Sequence, residues 1–153
     1  MRNRKKLLIE QLDQKLAEFK DAGIVLVPQK GWINTIRTTF NMTREQLGTK
    51  LNLTKGAVQK IEAREATGQI TINKLKDVGK ALDMKFVYGF VPIDGSIENL
   101  INLRAEKLAR KIVLRTNQNM KLEHQGIGEN KINDSITDLA AEIKREMRKS
   151  LWD

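Results

Sequence analysis

The chain has 153 residues, which is enough to bury one sizeable hydrophobic core with a small extension. Its 28 Lys and Arg against 19 Asp and Glu give a formal net charge of +9, which favours a polyanionic partner. The absence of Cys excludes a disulfide framework, a thiolate nucleophile and a zinc-thiolate site.

The sequence contains little that would support a catalytic, a metal-binding or a membrane-spanning protein. The only His, His124, has no second His or Cys with which to form a nucleophile–base pair or a metal cluster. We therefore expect no enzyme activity, no cofactor and no metal, and a surface loop around His124. The longest apolar runs, such as Ile24–Val27, are too short to span a bilayer, and the basic start is followed by no signal-peptide core. We expect a cytoplasmic protein without a membrane partner.

The first predicted element is a helix over residues 4–22, ended by Gly23. Its basic start could be an arm that contacts phosphate, but we interpret it as a solvated, frayed terminus. A narrow apolar seam runs along it and indicates a helix that packs or dimerises. The seam consists of Leu8, Leu12, Leu16 and Phe19.

A second helix is expected over residues 31–40, after a brief apolar run at residues 24–28. Its apolar residues at helical spacing are Trp32, Ile33, Ile36 and Phe40. Trp32 could stack on a base, but a Trp on the apolar face of a helix is more often a core residue, so we expect it in the core.

Residues 43–63, TREQLGTKLNLTKGAVQKIEA, predict two short helices joined by a tight turn. Thr43 and Gln46 have the spacing of a capping box, and Thr54 can cap the following helix. Gly48 leaves room for another helix to approach closely, and Asn52 tolerates the left-handed conformation that ends a helix. This arrangement is the one that places a helix in the DNA major groove.

The outward face of the second of these helices is short, polar and basic, whereas Val58 and Ile61 point inward. The candidate DNA-binding residues are Arg44, Thr54, Lys55, Gly56, Ala57, Gln59 and Lys60. Lys suits guanine or phosphate, Gln suits adenine, Ala suits a thymine methyl, and Gly permits close approach. The alternative is an antiparallel helix pair that packs and binds nothing.

Thr71 can cap a further helix whose inward residues are expected to be Ile72, Leu75, Val78 and Leu82. The following KFVYGFV, Lys85–Val91, predicts a β-strand that is apolar on both faces and is stopped by Pro92. Its partner is either residues 24–27 of the same chain or the same strand of a second copy. The candidate dimer-strand residues are Phe86, Val87, Tyr88, Phe90 and Val91.

The last third predicts two helices, the first capped by Asp94 or Ser96 and the second starting near Asp134, with an irregular connection over residues 120–133. The inward side of the first carries Ile97, Leu100, Ile101, Leu108, Ile112 and Val113. The buried stripe of the second is Ile136, Leu139, Ala140, Ile143 and Met147. A continuous basic stripe on the first helix either contacts DNA phosphates or is only solvated. It consists of Arg104, Lys107, Arg110, Lys111 and Arg115.

The spacing of residues 43–63 resembles the helix-turn-helix of the Xre, or phage-repressor-like, family, which Gly48, Leu53, Val58, Ile61 and Glu62 match in position. The family usually has Ala in place of Gly48. The resemblance implies a mainly α fold, a lambda-repressor-like helix-turn-helix bundle with a short β-strand element and additional N- and C-terminal helices. We expect residues 1–28 to form an N-terminal helix and short apolar segment, 29–92 the DNA-binding domain with its trailing strand, and 93–153 a C-terminal helical extension.

Further segments, in order, resemble the mobile mystery protein A family of bacterial helix-turn-helix proteins. They are residues 28–37 around Gly31 and Trp32, EATGQIT at 65–71, LDMKFVYGFVP at 82–92, MKLEHQ at 120–125 and the terminal LWD. The resemblance implies a mobile-element gene paired with a Fic-domain protein, and hence an autoregulating repressor or antitoxin-like role. The inhibitory helix that many restrainers of Fic enzymes carry is not matched at Glu98-Asn99 or Glu129-Asn130, because Asp94 and Gln125 stand where Ser or Thr is needed.

Two functional expectations follow. The first is a transcriptional regulator that binds double-stranded DNA as a homodimer, since one such helix reads only a few base pairs. The second is a protein-neutralising antitoxin or adaptor that acts through its C-terminal helices.

Overall fold

Helices dominate the computed structural model, which describes residues 2–122 and 128–153, and the side chains of 4–117 and 128–153. The chain is therefore mainly α, as the sequence predicts. His124, part of MKLEHQ and Gly126 lie outside the described residues. The helices are α1 (Arg2–Ala17), α2 (Trp32–Thr39), α3 (Arg44–Leu51), α4 (Lys55–Thr67), α5 (Ile72–Ala81), α6 (Ile97–Leu122) and α7 (Glu129–Glu146), with 3₁₀ turns at Lys20–Ile24 and Lys149–Trp152.

The chain divides into two compact units. The central unit is Ile24–Tyr88, and the flanking unit combines Met1–Gly23 with Gly89–Asp153. The observed divisions follow Gly23 and Tyr88, whereas the sequence placed them after residues 28 and 92. The N-terminal helix, expected as a separate piece, belongs with the C-terminal helices.

In the central unit, α2 to α5 surround one core whose buried residues are Ile33, Leu47, Val58, Ile61, Val78 and Leu82. Three residues expected inside are exposed instead: Trp32 by 39%, Phe40 by 50% and Ile72 by 45%. Each stands at the end of a short helix, where fewer neighbouring side chains can cover it. The expectation that Trp32 lies in the core is therefore wrong.

In the flanking unit, α6 packs against α7 around Ala105, Ala109, Ile136, Ile143 and Leu151. The small residues Ala105 and Ala109 lie four apart on α6, so they allow α7 to approach closely. Ile112, expected inside, is largely exposed. The connection is shorter than predicted, because α6 continues to Leu122 and α7 begins at Glu129, where Ile132 already packs on the core.

Helix α1 packs on α6 and also caps it. The carboxylate of Asp13 accepts hydrogen bonds from the backbone N–H groups of Ile97 (2.6 Å) and Glu98 (3.1 Å), while Ser96 Oγ accepts from Asn99 (3.0 Å). Two donors that the first turn of a helix leaves unpaired are thus satisfied from a distant helix. The predicted seam is only partly covered, since Leu8 and Leu12 remain exposed.

The β-strand expected at Lys85–Val91 is absent, and no strand occurs in 2–122 or 128–153. Residues 25–27 and 85–91 form no backbone hydrogen bond to any described residue. The prediction that these two segments pair within one chain is therefore wrong. Local β propensity does not create a strand unless a second backbone completes the ladder. Val87, Tyr88, Phe90 and Val91 are exposed, while Phe86 is half-buried and stacks on Tyr88 with ring centroids 6.0 Å apart.

Within the described ranges, no helix combines the length and the apolar character needed to cross a membrane.

Candidate nucleic-acid interface

The α3–α4 pair is Arg44–Leu51 and Lys55–Thr67 with the turn between them, and both helix starts and the end of α3 at Asn52 are as the sequence predicts. The end of α4 is not, because the helix continues to Thr67, beyond the predicted end at Ala63 and into the expected loop. Thr43 Oγ1 accepts from the Gln46 N–H (3.1 Å), and Gln46 Oε1 accepts from the Thr43 N–H (2.9 Å), which completes the capping box. Asn52 adopts the left-handed conformation with φ 56°. Thr54 Oγ1 caps α4 by accepting from the Ala57 N–H at 3.1 Å. These local bonds fix both helix starts.

Gly48 determines how closely the turn approaches α3. Its carbonyl accepts from the Leu53 N–H at 2.8 Å, and a Cβ added at this position would lie 2.6 Å from the Leu53 carbonyl oxygen. That distance is a clash with backbone, so the Ala that is usual in the Xre family would not fit here without a shift. The prediction of a close approach at Gly48 is confirmed, and the requirement for Gly is stricter than expected.

The outer face of α4 is solvent-exposed at Lys55, Gly56, Gln59 and Lys60, and Ala57 is half-buried at its edge. Gln59 and Lys60 form no hydrogen bond or ion pair with any residue of the described ranges, and Lys55 Nζ lies 3.9 Å from the exposed carboxylate of Glu45. A Cβ at Gly56 would meet nothing closer than 4.0 Å. Internal packing therefore accounts for none of these polar side chains, which remain available to a ligand.

Arg44 is the candidate whose position differs most from the expectation. Its Nε donates to Glu62 Oε2 at 3.1 Å, and its side chain is 35% exposed. The sequence predicts that Arg44 contacts phosphate or a base edge, and the structure shows in addition that it binds a buried carboxylate. Its two terminal nitrogens keep further N–H donors, because Arg carries five in all.

Glu62 joins three helices through its carboxylate. It accepts from Arg37 Nε (2.5 Å) of α2, from Asn34 Nδ2 (3.2 Å) of α2 and from Arg44 of α3. Burial acts to raise the pKa of Glu62, but the hydrogen bonds from Arg37, Asn34 and Arg44 outweigh it and hold the pKa below its ordinary value. This Glu62 network keeps α4 in a fixed position relative to α2 and α3.

Glu65 supplies a second connection between α4 and α2. Its carboxylate accepts from the backbone N–H groups of Trp32 (2.9 Å) and Ile33 (2.8 Å), so it caps α2. Gly31 precedes this cap with φ 87°, and a Cβ there would lie 2.6 Å from Glu65 Oε1. Sequence reasoning missed both carboxylates as structural partners, because their partners lie between 18 and 33 positions away in the chain.

The basic stripe of α6 is exposed at all five positions. Arg110 pairs with Glu106 at 3.4 Å, and the Arg104 guanidinium lies 5.7 Å from the centre of the Trp152 ring. Lys107, Lys111 and Arg115 have no such partner among the residues described. The exposed ion pair and the ring contact are weak, so all five cations remain able to bind an anion.

No protein-family model, no curated protein and no solved structure matches this chain. The resemblance to the Xre and mobile mystery protein A families thus rests on the residues quoted for it above.

Proposed function

We propose that this protein is a sequence-specific transcriptional regulator that places α4 in the major groove of double-stranded DNA. The observation that carries the proposal is the outer face of α4, where Gln59 and Lys60 have no partner among the described residues and stand on a firmly held helix. A rigid element that presents adaptable donors is what readout of base edges requires. The formal net charge of +9 favours attraction to the phosphate backbone.

Each residue of this face has a role that suits its chemistry. Gln59 can bond adenine through both its donor and its acceptor, and Lys55 or Lys60 can bond guanine or phosphate. The Thr54 hydroxyl accepts the cap bond and keeps its own O–H for a phosphate oxygen. Gly56 leaves space for the groove wall, and Ala57 offers a methyl group to thymine. Arg44 contributes a phosphate contact through its remaining donors.

The regulator acts as a homodimer, and the segment Lys85–Val91 forms the contact between the two copies. Its backbone donors and acceptors are unpaired within the described chain, and Val87, Tyr88 and Phe90 are exposed. A segment with these properties, once extended, is a template for pairing with another chain. A symmetric pair would set the two α4 helices about 34 Å apart, one turn of DNA.

The biological setting is proposed from the resemblance alone. A mobile mystery protein A relative would lie in the cytoplasm beside a Fic-domain partner and regulate their shared operon. Selecting binding sites from random DNA with the purified protein tests the DNA-binding proposal independently of that setting. Recovery of one enriched, two-fold symmetric site is expected.

Gln59→Ala should lose about 1–3 kcal/mol of discrimination at one base position of the selected site, because a bidentate contact to a base edge disappears. The melting temperature should not change, since Gln59 is exposed and bonds to no other described residue. Binding to a set of sites that differ at single positions measures this loss.

Lys60→Ala is the comparison variant for this prediction. It should weaken binding to all sequences similarly and lower the slope of log K against log salt by about 1, because it removes one phosphate contact. Unaltered discrimination at every position in the Gln59 variant would remove that residue from the readout.

The second candidate function is a protein-neutralising antitoxin or adaptor that binds through α6 and α7. It is favoured by the mixed character of α6, where Leu103 and Leu114 are exposed together with the basic stripe. Aliphatic side chains have no role in binding phosphates, whereas they contribute to protein interfaces.

The double variant Lys107→Gln/Lys111→Gln separates the two functions. If the stripe lies on DNA phosphates, the salt slope should fall by about 2 while base preferences stay the same. The matched control is Lys131→Gln/Lys149→Gln, which removes two exposed charges elsewhere in the same unit. An equal salt slope in both double variants would assign the stripe to a protein partner or to solvent.

A further inference from the structure

A cavity of about 440 Å³ opens in the flanking unit between α1, the start of α6 and the end of α7. Its apolar wall is formed by Ile9 of α1, by Ala141 of α7 and by Met147 just after α7, and Ile9 and Met147 are half-buried. The volume lies in the range of pockets that hold small molecules. The side chains around the cavity leave this volume empty.

The charged residues that line this cavity include more cations than carboxylates. Four cations line it, Lys5, Lys6, Lys144 and Arg145, against the carboxylates Glu10 and Glu98. The lining thus carries a formal charge of +2 beside an apolar wall. This surplus of positive charge beside the apolar wall attracts an anion.

Two of the four cations already have partners. Lys144 Nζ lies 3.3 Å from Glu98 Oε1, and Lys5 Nζ donates to the Glu146 carbonyl oxygen at 3.0 Å. Lys6 and Arg145 form no hydrogen bond or ion pair with any residue that the structure describes. The nearby Glu146 carboxylate is bound by Arg148 Nε at 2.6 Å, and it interacts with Arg145 through charge attraction alone.

We propose that this cavity binds a small organic monoanion with a hydrocarbon body, whose charged group lies between Lys6 and Arg145 and whose body lies on Ile9 and Met147. An Arg guanidinium and a Lys ammonium together give a carboxylate charge-assisted hydrogen bonds. The apolar wall discriminates such a ligand from inorganic phosphate, which has no surface to bury there. The site is independent of the α4 face and of DNA binding.

Octanoate is the probe for this site, and the methyl groups of ¹³C-methionine are the reporters. Titration at constant ionic strength should shift the Met147 methyl resonance and reach saturation. Met84 lines an apolar groove of the central unit and therefore reports non-specific binding of the hydrocarbon chain. Its methyl resonance should not shift. Met147→Leu assigns the resonance.

Charge variants test the polar half of the site. Lys6→Gln/Arg145→Gln should weaken octanoate binding about tenfold or more, and neutral octanamide should bind the unaltered protein about tenfold more weakly than octanoate. Glu10→Gln should tighten binding, because it removes a lining carboxylate. Lys20→Gln/Arg115→Gln is the matched control, since it removes two exposed cations of the same unit that do not line the cavity.

Three results would overturn the proposal. They are an unshifted Met147 methyl, a Met147 shift that only parallels that of Met84, and equal binding of octanoate by the double variant and its control. Thermal unfolding of each variant shows whether the fold is retained, and the single variant Arg145→Gln replaces the double variant if that one does not fold. DNA binding is measured separately, so failure here leaves the proposed function untouched.

Discussion

Glu62→Ala is expected to lower the free energy of unfolding of the central unit by about 3–5 kcal/mol. Arg37 is only 8% exposed, and the substitution leaves its guanidinium buried without its carboxylate partner. Arg44 and Asn34 lose a hydrogen-bond acceptor at the same time. Urea unfolding monitored by circular dichroism measures the loss, and DNA binding should fall with it because α4 is no longer held against α2 and α3.

The control for Glu62→Ala is Glu45→Ala, which removes an exposed carboxylate that lies 3.9 Å from Lys55. Its effect should remain within about 0.5 kcal/mol, since exposed pairs contribute little. A variant without either buried charge, Arg37→Met/Glu62→Leu, should recover much of the loss. Equal stability of Glu62→Ala and Glu45→Ala would show that the network does not stabilise the unit.

The same network predicts the direction of a pH effect. The pKa of Glu62 is lower in the folded protein than its ordinary value of 4.5, so its contribution to stability is fully present above about pH 4.5. It is lost as the pH falls through the folded pKa, because protonation then removes the charge that binds Arg37. Glu62→Ala should therefore show a weaker dependence of stability on pH in this acidic range.

Val87→Pro is expected to convert a dimer into a monomer and to weaken binding to a two-fold symmetric DNA site by about 10²–10⁴-fold, the gain that linking two binding modules can give. Proline removes one backbone donor and fixes φ, so it prevents the ladder between copies. The Val87 N–H bonds to no described residue and its side chain is 62% exposed, so the fold of the single copy should persist. Light scattering measures mass, and titration with DNA measures affinity.

The matched variant Val87→Thr keeps the backbone donor and a β-branched side chain, so it should remain largely dimeric. If Val87→Pro also remains dimeric and binds normally, the segment 85–91 is not the contact. The exposed Leu8 and Leu12 of α1 would then be the better candidate surface.

Contacts between residues that are close in the sequence could be predicted, whereas contacts between residues far apart in the sequence could not. The caps at Thr43, Thr54 and Thr71 depend on residues within three positions of each other, and all three are present. Glu62, Glu65 and Asp13 act on residues between 18 and 85 positions away. No periodicity in the chain links such pairs, so their partners became visible only in three dimensions.

The candidate interface shows the same division. Helical periodicity correctly separated the outward Gln59 and Lys60 from the inward Val58 and Ile61. The position of Arg44 at a helix start does not reveal its contact with a carboxylate on the next helix. The strand predicted at Lys85–Val91 is absent because strand formation depends on a second backbone as well as on β-forming residues.

The cap that Asp13 places on α6 also has a consequence for the order of events during synthesis. The Asp13 carboxylate binds a backbone N–H that lies 84 residues later in the chain, beyond the whole of the central unit. At a translation rate of about 5–20 residues per second, Asp13 emerges from the ribosome roughly 4–17 s before its partner Ile97 does. The central unit, which is continuous in sequence, can fold in that interval, whereas α1 must wait with Ile9 and Leu16, which are half-buried in the folded protein, uncovered and available to chaperones.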